Sequence, residues 1–230
     1  MPAENLISAI GKFFNVRQVP ALFWSAPHPL SLRPPVLSVV MLCIGLALFG
    51  FGEALIIAAG LGVSPWTVLA QGLAVQMGWS IGLSTFIVSL FILILWMPLR
   101  QTPGIGTILN AIIISVMIDI SLPLLYRPDH LFWQFVMLFC GIMTIGLGSA
   151  LYLVANLGPG ARDGLMTGLQ RRLGWPIMYV RSSIEMTAVL VGWSLGGIAG
   201  IGTVIFAFGV GSAVSAGLHS MVLITSHRND

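Results

Sequence analysis

Beyond residue 35 the chain runs as long apolar stretches separated by short polar breaks. Residues 36–59 contain one acid and no base, which predicts a helix long enough to cross a bilayer. Residues 64–77 are too few to cross upright. Pro65 suits a first helical turn and Ser64 the cap before it. Gly78 breaks the run, and residues 81–97 form the next apolar stretch. A turn at 98–103 carries Arg100, and 104–120 predicts another long helix. A polar loop with two prolines covers 121–130. The same succession then returns as 131–155, a short 163–173, 177–195 and 201–224.

The return is in register. Displacing the chain by 96 positions lays residues 40–111 over 136–207 without a gap. Gly45, Gly50 and Gly52 meet Gly141, Gly146 and Gly148. Leu61-Gly62 meets Leu157-Gly158, Gly78-Trp79 meets Gly174-Trp175, and Gly104-Ile105-Gly106-Thr107 meets Gly200-Ile201-Gly202-Thr203. Repeated leucines mean little in an oily chain. Repeated glycines imply shared close helix contacts and shared breaks. The period is too long for a solenoid and suits a duplicated transporter-like bundle.

If the short element of each copy does not cross, each copy has three spans and the second is inverted. Lys12, Arg17, Arg33, Arg100, Arg162, Arg171, Arg172 and Arg228 then share the cytoplasmic side, with Arg127 outside, as the positive-inside rule prefers. The expected fold is therefore all-α, with six transmembrane helices in two inverted three-span repeats. Each repeat carries an extra short helix, re-entrant or interfacial. The expected divisions are an N-terminal tail at 1–35, a first repeat at 36–120, a loop at 121–130, a second repeat at 131–224 and a tail at 225–230. Both tails are expected in the cytoplasm. In the first, Leu6, Ile7, Ile10, Phe13 and Phe14 can form an amphipathic turn, with Trp24 as a headgroup anchor.

Composition agrees with a membrane class. Hydrophobic residues make up 57% of the 230 and charged residues 7%, against about 25% charged in soluble domains. The net charge of +3 is spread over the ends of apolar runs, without the clustered basic face that nucleic acid requires. Cys43 and Cys140 fall inside apolar helices and read as packing residues. No spacing of Cys or His suits a metal, and no nucleophile sits beside a base. No enzyme activity, metal or cofactor is expected.

Six of the seventeen Asp, Glu, Lys and Arg residues fall between Ala155 and Glu185. Gly158, Pro159 and Gly160 precede Arg162-Asp163 at a helix start, which reads as an anion clamp or as a structural cap by Asp163. Arg181 and Glu185 are one turn apart in an apolar stretch, as a pathway charge pair or a neutralised packing pair. Glu53 is the sole acid of the first span, lining a pathway or reaching the headgroups. The matching break in the first copy offers Gly62, Ser64, Pro65 and Trp66. Thr67, Gln71 and Asn110 can bond between helices. Asp119 reads as interfacial, and Arg171-Arg172 as a contact to lipid phosphates.

The run L-G-P-G-A-R-D-G-L-M, the R-x-x-x-E of Arg181 and Glu185 and the later G-W-S-L-G-G-I-A-G-I-G-T resemble the YczE family of bacterial membrane proteins, within a wider YczE/YyaS/YitT group. L-G-V-S-P-W-T-V-L-A-Q-G-L in the first copy agrees, departing at Thr67 and Ala70, where relatives carry an acidic residue and a His. The resemblance covers residues 36–217 and implies a multi-pass bacterial inner-membrane protein of transporter type, with no reaction to carry over. The expected function is a permease for a small anionic or zwitterionic solute, bound between the repeats by Arg162, Asp163, Arg181, Glu185 and Glu53. The alternative is a scaffold or accessory subunit that meets a membrane-protein partner, or a second copy, through an exposed stripe such as Gly209-x-x-x-Ala213. The expected surroundings are lipid bilayer, with no nucleic acid.

Overall fold

The computed structural model describes residues 19–31 and 33–226. Among them are eight α-helices, one 3-10 turn at Leu122–Leu124 and no strand. The helices are α1 (Val36–Ala59), α2 (Pro65–Met77), α3 (Ile81–Trp96), α4 (Ile105–Ser121), α5 (Leu131–Ala155), α6 (Ala161–Leu173), α7 (Ile177–Ser194) and α8 (Ile201–Ser226). The breaks expected at Gly78, at 98–103 and in the polar loop all interrupt helices.

By length and composition α1, α4, α5 and α8 can each cross a membrane. α2 and α3, bent by 114° at their junction, add a fifth crossing if taken as one broken span. α7 has 18 residues but is not among the candidates, because Arg181, Glu185 and its serines dilute the apolar run. The 24 residues of α1 reach about 36 Å, enough for the roughly 30 Å hydrocarbon core.

The centre of the bundle is the crossing of α1 and α5. A Cβ on Gly45 would lie 2.7 Å from the Gly148 carbonyl oxygen, and one on Gly52 2.8 Å from that of Gly141. The two backbones therefore touch, and any side chain there would force them apart. α4 packs on α1 where Gly50 meets Ile114 and Met117, and α8 packs on α5 where Gly146 meets Ala213. The short helices cross over: α2 lies on α7 and α3 on α6.

Several contacts recur 96 residues apart with the partners exchanged. Gly106 N–H donates to the Leu157 carbonyl and Gly202 N–H to the Leu61 carbonyl, both at 2.8 Å. Gly62, at φ +107°, lies against Gly200, and Gly158, at φ +114°, against Gly104. Thr107 Oγ1 accepts from Gly104 N–H and Thr203 Oγ1 from Gly200 N–H, each at 3.2 Å. The Gly-Ile-Gly-Thr pairs thus serve as tightly packed helix starts.

Other contacts break the correspondence. Asp119 accepts from the Ser80 hydroxyl at 2.5 Å and from Gly82 N–H at 2.8 Å, so it caps α3 from α4 and fastens the two together. The residues 96 positions on are Pro176, Met178 and Ser215, which offer no such tie. No comparable packing joins α7 to α8. Asp119, half-buried near the end of α4, therefore has a structural tie that its position in the sequence did not reveal.

Trp24 also departs from expectation. It is 6% exposed and belongs to the core, because residues 19–31 fold back over the end of α5. Ala26 N–H donates to the Ala155 carbonyl at 3.1 Å, Asn156 Nδ2 donates to the Ala26 carbonyl at 2.8 Å, and the Ser38 hydroxyl donates to the Trp24 carbonyl. The expected amphipathic turn at Leu6–Phe14, with Lys12, Arg17 and Arg228, lies outside the described residues. Cys43 is partly buried, whereas Cys140 is exposed on the helix surface and fills no core space. The Gly209-x-x-x-Ala213 stripe is not an open face either: Ala213 is buried against Gly146 of α5.

Candidate functional site

The first turns of α2 and α6 come together in the middle of the bundle. The first intrahelical bonds run from Val68 N–H to Ser64 at 2.9 Å and from Gly164 N–H to Gly160 at 3.1 Å. The N–H groups ahead of them lie outside the helical ladder, and each helix start carries about half a positive charge. Neither start has a side-chain cap. Ser64 does occupy the cap position of α2, but its hydroxyl turns to Glu53. Asp163 lies in the first turn of α6, after the cap residue Gly160, and its Oδ2 accepts from the Tyr152 hydroxyl at 3.0 Å. Two backbone segments thus begin at one place with their polar ends facing a common space.

That space is a cavity of about 300 Å³. Its polar wall is formed by Ser64, Trp66, Asn110, Arg162, Asp163 and the Arg181–Glu185 pair, with Thr85, Ser89, Ser149 and Tyr152 beside them. α8 closes one flank with Phe206, Val210 and Val214. Because α7 is not packed along α8, the charges on α7 are partly open: Arg181 is 51% exposed and Glu185 21%.

The Arg162 guanidinium lies over the Trp66 ring, 5.6 Å from its centroid, within the range of a cation–π contact. Among the described residues no hydrogen bond or ion pair holds it. Glu53, Asp163, Tyr152 and Glu185 interact with it electrostatically from around the site. Arg181 Nε, by contrast, donates to Glu185 Oε1 at 2.9 Å. The Trp66 indole N–H is buried without a partner.

Glu53 stands behind this wall. It is fully buried and does not line the cavity, so neither a pathway-lining nor a headgroup position describes it. The Thr67 hydroxyl donates to its Oε2 at 2.8 Å, and the Ser64 hydroxyl lies 3.0 and 3.1 Å from its two oxygens and 2.8 Å from Thr67 Oγ1. Ser64 therefore joins the acid to the cavity.

Of the expected polar residues, the structure brings Arg162, Asp163, Arg181 and Glu185 to one cavity, with Glu53 one hydroxyl away. Pro65 and Gly160 also line it. Gly62, Gly158 and Pro159 do not: they shape the backbone approaches, and the Pro159 carbonyl accepts from Thr107 at 2.7 Å. Gln71 does bond between segments, accepting from Ile198 N–H at 3.1 Å. Arg172, exposed, donates to the Pro98 carbonyl at 3.3 Å. Sequence reasoning overlooked Tyr152 and Ser149. The signal available for Tyr152 was a phenol inside an otherwise aliphatic run.

Comparison with known proteins follows the same boundaries. A family of unknown function, DUF6198, matches residues 36–217. The chain belongs to that family. The chain is 41% identical over 200 residues to an uncharacterized protein of Haemophilus influenzae, covering 87% of this chain and 91% of the relative. It is 32% identical over 165 residues to the uncharacterized membrane protein YczE of Bacillus subtilis, covering 71% and 77%. YyaS of the same organism is 28% identical over 166 residues, covering 70% and 83%. These relatives support the resemblance to YczE read from the motifs. No solved structure matches.

Proposed function

We propose that this DUF6198 protein is an inner-membrane permease for a small anionic or zwitterionic solute, bound where the first turns of α2 and α6 meet. One observation carries the reading. Arg162 is a half-buried guanidinium on a cavity wall, without an ion pair and backed by an aromatic face. A charge inside a membrane bundle is costly, so an unpaired one points to a partner that comes and goes. Two helix starts beside it add the geometry by which transporters hold anionic groups.

In this reading the architecture is two inverted three-span repeats, with α1, α3 and α4 in the first and α5, α7 and α8 in the second. α2 and α6 are re-entrant half-helices, and both tails are cytoplasmic. The exchanged contacts at Gly106 and Gly202 and at Gly62 and Gly158 support it, since a pseudo-twofold axis produces pairs of that kind. Trp66 and Arg162, themselves 96 apart, would face each other across that axis. The scaffold reading is the weaker one, since the Ala213 end of its stripe is buried against α5.

The test is reconstitution in liposomes with uptake measured for a panel of radiolabelled carboxylates and amino acids. Arg181→Ala and Arg162→Ala should each stop uptake while the purified variants keep the wild-type elution profile. Absence of flux for the whole panel, with one stoichiometric membrane partner co-purifying, would replace the permease with an accessory subunit.

A further inference from the structure

Within the carrier reading, which this step rests on, we propose that the solute is an anion taken up together with a proton, and that Glu53 carries the proton. The argument begins with charge. Two helix starts of about half a positive charge each and two guanidiniums stand against the carboxylates of Glu53, Asp163 and Glu185. With all three carboxylates ionised, these charges come close to cancelling. An anion entering alone leaves it with an excess negative charge in a low-dielectric setting, where uncompensated charge is most costly. A proton arriving with the anion restores the balance.

The three carboxylates are not equally fit to take that proton. Glu185 is held by Arg181 at 2.9 Å. Asp163 is exposed and accepts from Tyr152. Glu53 is fully buried, and its hydrogen-bond partners are hydroxyls alone. A hydroxyl both donates and accepts, so Ser64 and Thr67 can turn to suit either state: donating to the carboxylate, or accepting from the acid. The 2.8 Å Ser64–Thr67 contact lets the change pass along the pair to the cavity wall.

The coupling to the solute runs through Arg162. Arg162 lines the same cavity as Ser64, whose hydroxyl contacts Glu53. An anion that neutralises Arg162 removes the charge favouring the ionised acid, and the acid then takes up a proton. By reciprocity a protonated Glu53 favours the anion. The other titratable groups around Glu53 do not displace this role. α5 contributes Tyr152, bonded to Asp163, and the outward Cys140. α4 contributes Asp119, held by Ser80 and Gly82. α2 contributes none.

The experiment is isothermal titration of the purified full-length protein with acetate, benzoate and L-lactate, and with glycine betaine as a permanent zwitterion. Repeating each titration in buffers of different ionisation heat counts the protons exchanged. The expected result is uptake of about one proton per carboxylate bound, with affinity weakening by up to about tenfold per pH unit as pH rises. Glu53→Gln should bind the carboxylate with no proton uptake and a flat pH profile, and Glu53→Asp should retain uptake. The wild-type measurement decides the matter even if neither variant folds. Carboxylate binding without proton uptake overturns the proton step and leaves the carrier intact. Binding of betaine alone overturns the anion assignment. Binding of no probe removes the carrier reading and this inference together.

Discussion

The guanidinium of Arg162 stacks on the indole of Trp66, 5.6 Å from the ring centroid, and the two residues are separated by 96 positions. The same displacement relates Gly106 to Gly202 and Leu61 to Leu157 in the paired backbone bonds. The contact therefore sits where corresponding parts of the chain meet, and the two parts bring different chemistry to it. One supplies a neutral aromatic face and the other a charge.

Arg162→Ala should abolish solute binding yet change stability little, since the residue has no ion pair to lose. The lost stacking is worth about 0.5–2 kcal/mol. Arg162→Lys should restore binding poorly, because an ammonium lacks the planar fork and the flat stacking surface. Titration calorimetry and thermal unfolding in detergent separate the two effects. A large loss of stability in Arg162→Ala would make the residue structural.

Gly164 lies against the indole of Trp96, whereas the residues at the matching positions are Val68 and Gly192. Large and small have changed places between the two contacts. Gly164→Val should destabilise by about 1–3 kcal/mol through overpacking. Trp96→Gly should cost at least about 3–5 kcal/mol, losing ring packing and the 2.9 Å bond from its N–H to the Ala161 carbonyl. The double variant recreates the Val68–Gly192 pairing and should be more stable than the sum of the single effects predicts. A strictly additive result in thermal unfolding would deny the correspondence.

Gly62 and Gly158 have φ values of +107° and +114° and each lies against the backbone of another segment. Alanine at either should destabilise by at least about 1–3 kcal/mol from backbone strain alone. The two losses should be similar, because the local surroundings are similar. Melting temperatures measured side by side test this.

Arg100 and Arg127 should lie on opposite sides of the membrane. In a background of Cys43→Ser and Cys140→Ser, Arg127→Cys in intact cells should react with a membrane-impermeant maleimide. Arg100→Cys should react only after permeabilisation. Labelling of both from one side would exclude the inverted six-span arrangement.

Asp119→Asn should loosen α3 from α4 by about 1 kcal/mol, the usual worth of a helix cap, since it weakens the bonds to Ser80 and Gly82. Faster hydrogen exchange at the start of α3, with α7 unchanged, is the expected signature.

What the sequence determined by itself was local or periodic. Apolar run length set α1 and α5 to the residue, and glycines and prolines marked the breaks, because propensity and hydrophobic pattern act over a few turns. The displacement of 96 could be seen because glycine at a close contact tolerates few replacements. What only the tertiary structure decided was the partner of each polar group. Ser64 was legible as a helix start, but whether its hydroxyl would cap α2 or bind Glu53 depended on a helix eleven residues earlier folding back beside it. Trp24 suited a lipid boundary by type and was buried by a fold-back that no local pattern encodes. Arg162 stood out as a charge in an oily chain, yet that no carboxylate forms a direct ion pair with it follows from where Asp163 and Glu185 find their own partners. Hydrogen bonds and charges are satisfied in space, so the chemistry of this cavity became readable only once α2 and α6 were seen to begin at the same point.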